Sequence, residues 1–100
     1  MTLRISLRGE RSHRTGSLRL GEDLHELASW HRAADGVVLA TTALGVALTL
    51  TAGEEGCGTL SMAGRLWALR GIARDGDVIA GEAVEVPGDE WLGRVFGVAW

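Results

Sequence analysis

The stretch GEDLHELASWHRAADG, residues 21–36, sets the fold class, because it is the one segment whose apolar spacing follows a helix. Leu24, Leu27, Ala28 and His31 fall at i, i+3, i+4 and i+7, a single stripe at helical period. Glu22 and Asp23 stand in the first turn, where the helix dipole favours acids. Gly36 can take the left-handed conformation that ends a helix. A helix this short is marginal alone, so the reading predicts one that docks on a sheet.

Outward from this segment the chain reads as strands. TLRISLR, residues 2–8, alternates Leu3, Ile5 and Leu7 with Arg4, Ser6 and Arg8, and SLRL, 17–20, alternates again as its partner. VVLATT, 37–42, is apolar on both faces, which suits a covered strand. GVALTLT, 45–51, and TLSMAGRLW, 59–67, read as a hairpin with Leu60, Met62, Gly64 and Leu66 inward. In ALRGIARDGDVIAGEAVEV, 68–86, Asp75-Gly76 is a two-residue turn signal, with Arg74 and Asp77 placed to pair across it. The outgoing strand sets Val78, Ala80, Val84 and Val86 on one face, and Glu82 among them. A carboxylate there must reach water, find an arginine or sit in a pocket. WLGRVFGVAW, 91–100, closes the sequence as a second two-sided apolar strand.

The expected fold is therefore α+β: a mostly antiparallel sheet of six to eight strands with one helix packed on it, forming a single domain over residues 1–100. One helix covers only part of such a sheet. The strands at 37–42 and 92–99 then need another cover, either closure of the sheet on itself or association of subunits, and association is the expectation.

Composition narrows the function classes. The hydrophobic fraction is 46%, the charged fraction 23%, and there is one Pro, so a packed domain is expected rather than disorder. The net charge of −3 argues against a general nucleic-acid binder. All ten basic residues are Arg, and Arg4, Arg8, Arg11, Arg14 and Arg19 cluster near the start, either as a solvated strand pair or as a site for an acidic partner. The single Cys57 cannot form an internal disulfide, and a cytoplasmic protein is expected. With charges inside the first ten residues no signal peptide is expected, and the apolar run 37–52 is too short for a membrane helix.

Searches for catalytic chemistry fail. His25 and His31 differ by roughly 240° around a helix axis, so they cannot share a metal. Glu54 and Glu55 precede Cys57 and would raise its thiol pKa, making it a poor nucleophile. An enzyme would need a pocket that joins His13 or His31 to Glu82. No catalytic residue, metal or cofactor is expected.

Three segments taken in order resemble the plant and prokaryote conserved (PPC) domain: SLRLGEDLHEL; GVVLATTALGVALTLTA; and GTLSMAGRL followed by IARDGDVIAGEAV. Many prokaryotic members of that family carry a presumed histidine metal site. Here LWALR has no His and Ala80-Gly81-Glu82 stands at the last position, so the resemblance does not carry the site over. It implies a non-catalytic interaction or ligand-binding domain that assembles as a homotrimer. Glu82, Arg70 and Trp67 are the candidate ligand-binding residues. The order of strands, GEDLHELASWHRA and VALTLTAGEEGCGTLSMAGRL is also similar to WapI-type immunity proteins, which would imply a protein that binds and neutralises a bacterial toxin.

Overall fold

A computed structural model describes residues 1–9, 14–34 and 36–87. The expected strand at 91–100, with Trp91 and Trp100, and the loop residues Arg11 and His13 lie outside them. Eight strands follow in chain order: β1 Thr2–Arg8, β2 Thr15–Leu20, β3 Asp23–Ala34, β4 Val37–Thr42, β5 Ala47–Ala52, β6 Gly58–Met62, β7 Arg65–Asp75 and β8 Val78–Val86. Each pairs antiparallel with the next, and β8 pairs antiparallel with β1 to close a barrel. A single 3-10 turn, Glu54–Gly56, is the one helical element among the described residues.

The α+β expectation is thus overturned at residues 21–36. Asp23–Ala34 is a strand, paired on one side with β2 and on the other with β4. A bulge hides it. Leu27 lies opposite Thr42 and Ser29 opposite Thr41, so Ala28 is an extra residue and the strand changes phase there. Leu27 before the bulge and Trp30 after it both turn toward the core. That step of three residues imitates a helical repeat. Leu24, taken as part of a buried stripe, is on the outer wall and 53% exposed.

Inside the barrel the alternation works as period-2 logic requires. Leu3, Ile5 and Leu7 face Leu18 and Leu20 on one neighbour and Ile79 on the other. Val38, Ala40, Leu48, Leu50, Leu60, Trp67, Leu69 and Ala83 complete the filling. Each buried leucine or isoleucine contributes about 1.5–3 kcal/mol. Closure also covers β4: Val38, Ala40 and Thr42 are buried within the same chain.

Three further readings change. TLSMAGRLW is two strands, not one: Ala63 and Gly64 both have positive φ (53° and 75°) and make the tight turn from β6 to β7. Leu66 therefore faces outward and Trp67 inward. In β8 the core face is Ile79 and Ala83, so Val78, Ala80, Glu82, Val84 and Val86 share the outer wall. The face with more apolar residues is the outer one, because the inner face carries Gly81 and Glu85. The last turn is Gly76-Asp77, with Asp75 opposite Val78, and Arg74 donates from Nε to the Gly76 carbonyl at 3.3 Å rather than pairing with Asp77.

The barrel has two unlike ends. At one, Trp30 donates Nε1–H to the carbonyls of Arg8 and Thr15, at 3.1 and 2.8 Å. Arg14 and Arg32 lie over its ring at 5.2 and 5.8 Å from the centroid. Ile72 packs on the core from the same end, after a bulge at Gly71 (φ +62°). At the other end the turns are tight, and no large side chain of the described residues fills the opening.

Close strand approach near the Trp30 end depends on Gly16, where a Cβ would collide with the Ser6 carbonyl oxygen of β1. Gly16→Ala should lower the unfolding free energy by about 1–3 kcal/mol in a denaturant titration. Gly53→Ala, whose nearest neighbour would be the Cys57 carbonyl oxygen at 3.5 Å, should stay within about 0.5 kcal/mol of the parent.

Candidate functional site

The open end holds a cavity of about 240 Å³. Three tight turns and the first residue shape it. Leu20 and Asp23 flank the β2–β3 turn, Thr42 and Leu44 the β4–β5 turn, and Met62 and Arg65 the β6–β7 turn. His25 and Trp67 line the wall below. The volume exceeds the roughly 150 Å³ that accommodates benzene and falls below the roughly 300–1,000 Å³ of drug-sized pockets. It suits a molecule of about one ring.

Trp67 is the deepest of these residues. It is 1% exposed, and its Nε1–H is buried with no acceptor among the described residues. A buried donor left unpaired costs about 1–3 kcal/mol. Above it, Arg65 lies with its guanidinium carbon 4.8 Å from the Trp67 ring centroid. Arg65 also donates from Nε and from a terminal nitrogen to the two oxygens of Glu85, at 2.7 Å each. Glu85 reaches Arg65 because it sits directly opposite Trp67 in the β7–β8 ladder. The bidentate bond holds the Glu85 carboxyl below its ordinary pKa and raises that of Arg65. Thr42 is buried, accepts from the Val46 N–H at 3.1 Å, and keeps a hydroxyl proton to give. Leu44, 91% exposed at the tip of its turn, stands at the lip.

Of the three residues singled out from sequence, the structure separates one from two. Trp67 lines the cavity. Arg70 and Glu82 lie opposite each other on the outer wall of β7 and β8. Glu82 is ion-paired with the Met1 ammonium at 3.4 Å. His31 is on the outer wall of β3, so it shares no pocket with Glu82, which lies beyond β2 and β1. Among the described residues no three His, Cys, Asp or Glu side chains converge on a metal position. Asp23, His25, Arg65 and Glu85 are not among the site residues expected from the sequence. Their signal was available: once 23–34 is a strand, Asp23 and His25 are polar residues in phase with buried Leu27, as Arg65 and Glu85 are with the core residues of their own strands.

Comparison with protein families, with curated proteins and with solved structures found no match. The site therefore stands on its own geometry.

Because bonding to Arg65 lowers the folded-state pKa of Glu85, the pair's contribution is complete above the ordinary glutamate range and is lost as pH falls through the folded value. Both groups are exposed, so the effect on global stability is small. Carboxyl carbon NMR should place the Glu85 midpoint below the ordinary range, and Arg65→Gln should return it there.

Proposed function

We propose that the protein binds one small, uncharged, ring-sized molecule in the mouth of its barrel and has no catalytic role of its own. The observation that carries this is the cavity of about 240 Å³ itself, walled by Trp67, a buried residue whose Nε1–H has no acceptor among the described residues. Closed eight-stranded barrels either fill with side chains or hold one small ligand, and the described residues fill this one at the Trp30 end and leave a cavity at the other. The charges favour a neutral guest. Arg65 is already engaged by Glu85, so a ligand anion would have to displace a bidentate partner. Asp23 at the rim can accept from a ligand N–H. A planar amide or heteroaromatic ring fits, with its acceptor inward to Trp67 and its donor outward to Asp23.

The barrel's polarity supports a protein surrounded by water. Its interior is apolar, whereas Arg4, Arg8, Arg19, Glu26, Arg70 and Glu82 are on the outer wall, the reverse of a membrane-spanning barrel. The proposed site lies within one chain. The homotrimer expected from the PPC resemblance is not required for it, because closure already covers the inner face of β4. Both family resemblances include a helix within residues 21–36, where the barrel has the strand Asp23–Ala34.

Benzamide is a suitable probe, with toluene, benzoate and benzamidine as apolar, anionic and cationic controls. In a proton–nitrogen NMR titration benzamide should move the Trp67 indole resonance and those of Thr42 and Met62, and the controls should bind more weakly. Trp67→Phe should weaken benzamide binding by about threefold to tenfold, while destabilising the free protein less than the roughly 3–5 kcal/mol of a tryptophan truncation to alanine. If none of the four compounds moves these resonances, the mouth is not a ligand site for molecules of this class.

A further inference from the structure

The outer wall of β1 and β2 breaks a pairing rule. Arg4 lies directly opposite Arg19, and like charges in that position destabilise a sheet. The next outward pair is Ser6 opposite Ser17, and the next is Arg8 opposite Thr15. Every outward pair along this ribbon, from Arg4 to Arg8, is thus a pair of hydrogen-bond donors with no carboxylate between them. Among the described residues the ion pairs are Met1 with Glu82 and Arg65 with Glu85, and neither involves these arginines. The two strands' backbone groups are already used in the ladder, so a partner must be held through side chains. The ribbon floors an open groove whose far side is formed by Leu24 and Glu26 of β3. Leu24 stands opposite Arg19, and Glu26 opposite Ser17.

We propose that this groove binds an acidic, extended segment of a partner protein. Three observations favour such a segment. The donor pairs repeat every second residue over about 13 Å, the spacing at which an extended peptide presents alternate side chains. Arg forks with neighbouring hydroxyls match carboxylates, and exposed Leu24 offers an apolar contact beside them. The positive stretch is short and ends at Glu26, which suits a short acidic segment and not a long polyanion such as nucleic acid. The surface is separate from the barrel mouth and does not depend on it.

The test is a titration of the intact protein with hexaglutamate, followed by proton–nitrogen NMR, with hexalysine and tripolyphosphate as comparison probes. Hexaglutamate should saturate, shift resonances confined to Arg4–Arg8, Thr15–Arg19 and Leu24, and weaken as salt rises. Arg19→Gln should cut its affinity by about tenfold. The same variant should keep or raise the unfolding midpoint, since it relieves the opposition to Arg4, whereas a structural role for Arg19 would lower it. No saturable shift with hexaglutamate overturns the proposal, as does binding that Arg19→Gln leaves unchanged. Binding of tripolyphosphate alone would assign the groove to phosphates and not to an acidic protein.

Discussion

β1 and β8 meet along a ladder running from Thr2 opposite Glu82 to Ser6 opposite Val78, and the rest of the molecule depends on that seam. The Met1 ammonium donates to the Ala83 carbonyl at 2.8 Å, and the Ala83 N–H donates to the Met1 carbonyl at 2.7 Å, so the ladder extends to the first residue. Without it the eight strands would form an open sheet with two unpaired edges and one exposed apolar face. With it Leu3, Ile5, Ile79 and Ala83 become interior, and no second layer is needed to bury them. The cost is entropic, because nearly the whole described chain lies between the paired strands. That cost grows only slowly with loop length, although such non-local pairing slows folding.

Closure also defines where chemistry can occur. A small barrel has two ends, and here they differ for residue-level reasons. The Trp30 indole, hydrogen-bonded to both β1 and the start of β2, and Ile72 fill one end. At the other, the inward positions of the last strand turns are Asp23, His25, Arg65 and Glu85, which do not complete an apolar plug. The mouth is polar at its rim and apolar at its floor, with one indole N–H facing neither water nor an acceptor among the described residues. The outer wall contributes separately, through the arginine-lined ribbon of β1 and β2.

Much of this was legible in the sequence. β1, β2, β4 and β5 show the alternation or two-sided apolarity that their strands bear out. The segment 21–36 was not legible as a strand, because two unlike causes act on it together. The Ala28 bulge changes its phase, and the mouth places Asp23 and His25 at inward positions where a core strand would have apolar residues. β8 misled in the opposite way: with Gly81 and Glu85 inward, its outer face looks like a core face, and Glu82 looks out of place when it is simply exposed. Rules of hydrophobic pattern fail where a strand borders a site or bends, and both happen in β3.

The most direct test of this account is a backbone NMR assignment of residues 1–87 with a search for contacts across the seam. Extended-strand chemical shifts are expected through Asp23–Ala34, interrupted only near Ala28, with nuclear Overhauser contacts between β1 and β8 around Arg4 and Ala80. Helical shifts over 23–34, or the absence of any contact between β1 and β8, would contradict the closed barrel and everything built on its two ends.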